Sequence, residues 1–405
     1  MKRFLFPAAC ALVPFLLQAQ ECGTGRYVVP NYFPAIDSIP AVQFGTNTGV
    51  DGSPQALRMD IYAPANDPLE ARPVEVLAIG GSFITGSRAD VGPVCADLAR
   101  MGYVAVAPDY RVGLYIPNTS PTMHAVQRCV HDLKGAIRFL RKSAAEGNPY
   151  NINPNRIIVG GVSAGAIGAL HLTYMNEPSE LPPALGADSA TLGGMEGTSG
   201  PLGYSSVPMA CFSFSGALMD TSWVHPGDQP FAGIHETCDA VVPCYTQEAY
   251  ALWFPTGSAV SGEHDISVRM DHIGLAHCYK EYPGNDHVGY LNYDPVNALA
   301  FMVQFMANVA CGQPLACTNA TGLEEVAATS TPLLPWPQPA SSERARAAIT
   351  PWPCAGARPR SSTALGRSGP WRWCSPPRGG SGKAALCAPG HRARTSPRCN
   401  LPRPC

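Results

Sequence analysis

Between residues 57 and 307 the hydrophobic pattern switches repeatedly between two forms. Short runs rich in strand-forming residues fall at 57–62, 74–79, 103–108, 156–160, 210–215, 231–235 and 277–282, most of them largely apolar. Longer stretches at 91–100, 125–145, 164–174 and 295–307 carry their apolar residues three and four apart. The first pattern predicts strands buried on both faces and the second predicts helices. Strand and helix in alternation predict an α/β fold, a mostly parallel central sheet with helices on both faces. Right-handed crossovers then bring every strand-to-helix loop to one edge of the sheet, where open α/β folds bind ligands. A segment rich in Gly, Ser and Pro, 176–206, is long for a connection and is expected to cover that edge.

The sharpest local feature is Gly161-Val162-Ser163-Ala164-Gly165, directly after the apolar run 156–160 and directly before a helix of small residues. A serine on such a strand-turn-helix elbow is held in a strained backbone conformation with its hydroxyl exposed. The helix N-terminus beneath it favours developing negative charge. Ser163 is therefore the expected nucleophile. It needs a base, and the base needs an orienting acid, each carried on a loop after a later strand. Asp239, after the run 231–235, is the expected acid, in preference to Glu236 at the strand end. His287, after the run 277–282 and the turn Pro283-Gly284-Asn285-Asp286, is the expected base. His264, His272 and His277 fall before or within the last strand, and His171 lies inside the helix after the serine, where a satisfied histidine is the plain expectation. An oxyanion needs backbone N–H donors. Ala164 is expected to give one, and Gly81 and Ser82, in the Gly80-Gly81-Ser82-Phe83 turn, the others.

The net charge of −2 averages two different segments. Residues 344–405 hold 11 Arg and one Lys and no acid, so the preceding body carries the other 16 basic residues against all 30 acidic ones. An acidic body argues against a nucleic-acid partner. The start, Lys2-Arg3 and then an apolar run from Phe4 to Leu17, predicts a signal peptide over 1–19 and an exported protein, secreted, periplasmic or held at the cell surface. No later apolar run is long enough for a membrane span. Fifteen cysteines agree with an oxidising compartment. Nine of them lie from Cys22 to Cys317, an odd number, so at least one is free or paired outside the body, and spacing leaves the connectivity open. No zinc spacing occurs, and neither a metal nor a cofactor is expected.

These residues resemble a known family. Gly80-Gly81-Ser82-Phe83-Ile84-Thr85-Gly86, Pro108-Asp109-Tyr110-Arg111 and the segments 160–166, 193–206, 235–243 and 283–287 are similar in order and spacing to those of secreted bacterial carboxylesterases of the α/β-hydrolase fold. The resemblance spans roughly residues 55 to 310. It implies a Ser163–Asp239–His287 triad, an oxyanion hole from Gly81, Ser82 and Ala164, a structural Asp109, and an ester substrate, small or linked to a polysaccharide. One position departs from it: where the family usually has a histidine ordering the oxyanion loop, this chain has Ile79. A binding protein that keeps the fold without the catalysis, and a serine peptidase of the same fold, are the alternatives.

The expected organisation is a signal peptide over 1–19, a catalytic domain over 20–312, a linker over 313–343 and a tail over 344–405. The linker, with Gly322-Leu323-Glu324-Glu325 and Pro335-Trp336-Pro337-Gln338-Pro339, resembles the opening of a type IX secretion sorting domain. The tail is rich in Arg, Pro and Cys and has no period. It is expected to be disordered, or to be the product of a frameshift after Glu343.

Overall fold

The computed structural model describes residues 21–315 and 317, apart from 187, 252 and 253, together with 372–373 and 386–387. The expected signal peptide, nearly all of the linker and nearly all of the tail lie outside these residues. The chain divides after Ser341 into two units. In the second, Arg372–Trp373 and Leu386–Cys387 pair as a short antiparallel ladder.

In the first unit the strands are β1 (Ile36–Thr48), β2 (Pro54–Pro64), β3 (Arg72–Ala78), β4 (Val104–Pro108), β5 (Ile152–Val162), β6 (Ala210–Phe214), β7 (Ala217–Leu218), β8 (Phe231–Glu236), β9 (Gln247–Ala251), β10 (Phe254–Gly262) and β11 (His277–Tyr282). The longer helices are α1 (Gly92–Arg100), α2 (Thr119–Ala145), α3 (Ala164–Tyr174), α4 (Glu263–Ile273) and α5 (Pro295–Ala310). All seven predicted strands are present. Eight strands form one sheet in the order β1-β2-β4-β3-β5-β6-β8-β11. β1 and β2 run antiparallel to their neighbours, and the pairs from β4 to β11 are all parallel. This is the α/β-hydrolase fold. Every residue of β3, β4, β6 and β8 is buried. Because successive side chains point to opposite faces, such burial requires cover on both sides of the sheet.

β1 was not legible as a strand. It is an edge strand paired on one side, with most of its side chains exposed, so it lacks the apolar alternation that marks a buried strand. A bulge separates its pairs Ile39–Ile61 and Val42–Met59, and there the Asp60 carboxylate accepts the Ala41 N–H at 2.7 Å. Two disulfides, Cys22–Cys311 and Cys278–Cys317, join Cys22 to the residue after α5 and Cys317 to β11. Cys95, Cys129, Cys211, Cys238 and Cys244 are free thiols.

The segment 176–206 does not cover the ligand edge as expected. Its centre packs instead on α2, where His131, Lys134 and Arg138 bond to carbonyls from Gly194 to Pro201 and to Glu196. On its other side Asn47 of β1 donates to Ser199 Oγ at 2.8 Å. The polar face of α2 supplied enough buried donors to draw these carbonyls to it. The wall at the ligand edge is built by another element, the β9–β10 hairpin, which pairs through β10 with β7.

Candidate active site

Ser163 sits between the end of β5 and the first residue of α3, with φ 54° and ψ −121°. That is an unfavourable region for a residue with a side chain, and it persists only where the surroundings enforce it. They do so here. Ser163 N–H donates to Phe214 O of β6 at 2.9 Å, and Ser163 O accepts the Ile167 N–H of α3 at 2.9 Å. The glycine at 165 is dictated by close approach, since a Cβ there would lie 2.4 Å from the carbonyl oxygens of both Ala78 and Ile79.

Asp239 and His287 reach Ser163 on two loops that are stitched together. Thr237 N–H donates to Tyr282 O at 3.0 Å, and Cys238 N–H to Gly284 O at 2.8 Å. Glu236, the competing carboxylate, holds the His287 loop by accepting the Asp286 N–H at 2.7 Å. The Ser163 hydroxyl lies 2.7 Å from His287 Nε2, and His287 Nδ1 lies 2.6 Å from Asp239 Oδ2. A serine hydroxyl donating to Nε2 and an Nδ1–H donating to the carboxylate is the tautomer that lets the ring accept the serine proton. Asp239 Oδ1 accepts the N–H groups of Val241 at 2.8 Å and Val242 at 3.1 Å. Burial alone would raise the Asp239 pKa, but His287 and the hydrogen bonds from His235 and His287 more than offset it, holding the carboxyl down to about 2.

Behind Asp239 stands a pair that the sequence reading did not single out. His235, fully buried in β8, places Nε2 2.8 Å from Val242 O and 3.3 Å from Asp239 Oδ2, and its Nδ1 is bonded to Glu263. Glu263, the first residue of α4, also accepts the Ser213 hydroxyl and, at 2.6 Å, the Gly216 N–H. A histidine inside an otherwise apolar buried strand is a signal that could have marked it.

The Gly80–Phe83 turn lies against the serine. Ser82 (φ 55°) and Phe83 (φ 59°) are both left-handed, and the Gly81 carbonyl accepts the N–H groups of Ile84 and Thr85. Ser82 and Ala164 line the same cavity as Ser163, while Gly81 forms the turn behind them. The Gly80–Phe83 turn is fastened by residues 110–114. Tyr110 donates to Ile79 O at 3.0 Å, and the N–H groups of Gly113 and Leu114 donate to Phe83 O at 2.7 and 3.0 Å. Asp109 is tied to Arg88 and lies outside this cluster of groups.

The cavity beginning at Ser163 encloses about 550 Å³ of atom-free space, its open mouth included. Phe83, Leu114, Met123, Val126, Ile167 and Val260 make most of it apolar. Among the described residues no group of three or more His, Cys, Asp or Glu side chains is placed to hold a metal ion. Nor is any described helix long and apolar enough to cross a membrane.

Comparison with known proteins relates the chain to esterases. Residues 59–191 match the family model described as BD-FAE. Esterase LipC of Mycobacterium tuberculosis (strain ATCC 25618 / H37Rv) is 32% identical over 136 residues, which is 32% of this chain and 31% of that relative's length. Among solved structures, Thermogutta terrifontis esterase 2 phosphorylated by paraoxon aligns with a TM-score of 0.46 at 24% identity, covering 66% of this chain and 92% of that one. The propionate-bound form of the same organism's Est2 aligns at 0.45 and 23% identity, covering 71% and 96%.

Proposed function

We propose that the protein is a serine carboxylic-ester hydrolase working through an acyl-enzyme. The observation that carries this reading is the unbroken hydrogen-bonded line from Ser163 Oγ through His287 to Asp239, opening onto an apolar cavity. Ser163 Oγ attacks the ester carbonyl carbon while His287 Nε2 takes its proton. The oxyanion that forms is stabilised by backbone N–H groups of Ala164, Ser82 and Gly81. Collapse breaks the carbonyl–alkoxy bond, and His287 returns its proton to the departing alcohol. Water then repeats the sequence on the acyl-enzyme, releasing the acid and restoring Ser163. The Asp239 carboxylate, ionised at any pH where the enzyme would work, orients His287 and stabilises its imidazolium.

The esterase relatives support the ester class, and the two disulfides, with the basic and apolar N-terminal sequence, support export to an oxidising compartment. The test is release of nitrophenol from nitrophenyl acetate, with a pre-steady-state burst matching the enzyme concentration. Ser163→Ala should lower turnover by about 10⁴-fold or more while leaving the thermal melt nearly unchanged. Turnover above a tenth of the original would remove Ser163 from the reaction.

A further inference from the structure

The mouth of the catalytic cavity is flanked by apolar side chains that the core does not use. Tyr250 of β9, at 39%, is the most exposed of the residues lining the cavity, so the cavity reaches solvent beside the β9–β10 hairpin. Phe254, at the start of β10, pairs directly opposite Ala251, which lines the cavity. Residues paired in this way carry their side chains on the same face of a hairpin. Phe254 therefore extends the cavity wall outward, where it is 63% exposed.

On the other flank Leu114 is buried in the cavity wall, and the chain leaves it through Tyr115 and Ile116, which are 76% and 70% exposed. Their place is fixed from both sides. The Leu114 N–H donates to Phe83 O at 3.0 Å, and the Thr119 hydroxyl, at the start of α2, donates to Gly257 O of β10 at 2.9 Å. The two flanks are thus parts of one rim. Val50, in the turn between β1 and β2, sits on Gly113 and adds a further partly exposed apolar side chain.

Single exposed apolar residues are ordinary, but a cluster of them around a cavity mouth marks a surface that meets a partner. The chemistry of that partner follows from what the rim lacks. Residues 113–123 and 249–262 contain no Asp, Glu, Lys or Arg, so they hold nothing that pairs with a charged headgroup. The body ahead of the tail, with 30 acidic residues against 16 basic ones, is repelled by an anionic membrane. A hydroxyl-rich glycan would lose hydrogen bonds to water against Ile116 and Val50. The rim is continuous with a cavity whose wall is itself mostly apolar. Resting on the ester-hydrolase reading above, we infer that Tyr115, Ile116 and Phe254 seat the enzyme on the surface of an uncharged ester that has separated from water, with the cavity mouth facing the droplet. Burying the three side chains in that phase adds an attraction that a dissolved ester, entering the cavity without covering them, does not provide.

The test uses the full chain and tributyrin, an uncharged ester that dissolves at low concentration and forms an emulsion above its solubility limit. Turnover followed by pH-stat should rise when that limit is crossed, above the level reached with the dissolved ester. The triple variant Tyr115→Ser, Ile116→Ser, Phe254→Ser should bind the droplets more weakly by about tenfold or more, since burying even one such side chain is worth a factor of that size. It should lose the rise in turnover while keeping its kcat/KM on dissolved nitrophenyl acetate. Turnover that levels off at the solubility limit in the original chain would overturn the inference, and so would equal droplet binding by the original and the variant. If the triple variant misfolds, Ile116→Ser and Phe254→Ser made singly at these exposed positions should each lower droplet binding, and unchanged binding in both would reject the rim. A chain that elutes as a dimer, and as a monomer in the triple variant, would give the rim to a second copy and reject the droplet. Droplet binding is read by flotation without any turnover. A chain that binds droplets but hydrolyses neither ester would therefore keep the rim and count against the hydrolase reading. One that hydrolyses nitrophenyl acetate and ignores droplets would do the reverse.

Discussion

His235 Nε2 lies 3.3 Å from Asp239 Oδ2, the same oxygen that holds His287 at 2.6 Å. Around the His235 ring stand the Val242 carbonyl, which can only accept, and the Asp239 and Glu263 carboxylates, which accept when ionised. The ring is therefore a two-ended clamp between two buried carboxylates, and it positions Asp239 without reaching the substrate. Members of one hydrogen-bond network typically couple by about 0.5–3 kcal/mol. His235→Leu is accordingly expected to lower kcat by about tenfold, with KM much less affected. A fall in KM-limited binding with kcat intact would mean that His235 serves only the cavity's shape.

Asp239→Asn should cost about three to four orders of magnitude in kcat, since an amide can present an N–H to His287 and stabilise the wrong tautomer. Glu236→Gln should leave kcat within about tenfold of the original, because a glutamine carbonyl can still accept the Asp286 N–H. The two variants measured side by side decide which carboxylate is the acid. The reverse order of damage would assign that role to Glu236.

Glu75, in the middle of β3, is fully buried with no partner for either oxygen, and desolvation raises its pKa well above the ordinary glutamate value. With a folded pKa above the unfolded one, the unfolded chain releases its proton first as the pH rises. Glu75 then costs stability progressively from about pH 4.3 upward and costs none of this kind below it. Glu75→Met should raise stability by about 1–3 kcal/mol at pH 8 and by less at pH 4. Urea unfolding of both proteins across that range measures the difference, which should grow with pH.

Gly165→Ala is expected to prevent folding or to destabilise by about 3 kcal/mol or more. The added methyl meets two backbone oxygens of the neighbouring strand end, which no rotamer change can move aside. A thermal melt within a few degrees of the original would show that β3 and α3 can separate without cost.

Cys22 and Cys311 join residues 289 apart, linking a segment ahead of β1 to the residue after α5. Cys22→Ser should lower stability by about 2–5 kcal/mol. Urea unfolding of the original and the variant, both without reductant, measures that loss. Reductant should then narrow the gap between them.

The sequence alone determined seven of the eight strands of the large sheet, and four of them, β3, β4, β6 and β8, are buried along their whole length and so carry their burial in their composition. It also singled out Ser163, since a strained turn packed between strand and helix requires glycine on both sides wherever it occurs. Asp239 and His287 were legible as positions on loops after named strands, and the fold places them within hydrogen-bond distance of each other and of Ser163. Tertiary structure alone decided what surrounds them. In β10 the buried Thr256 and Ser258 are more polar than the exposed Phe254, so hydropathy does not mark that strand's inward face as a cavity wall. The 176–206 segment went to α2 because of buried donors on that helix, a preference that no local period records. His235 and Glu263 meet across 28 residues, and His171, Thr122 and Ser258 share a cavity from three different elements. A hydrogen bond depends on distance and direction between groups remote in sequence, whereas hydropathy is a property of each residue, and only hydropathy is written along the chain.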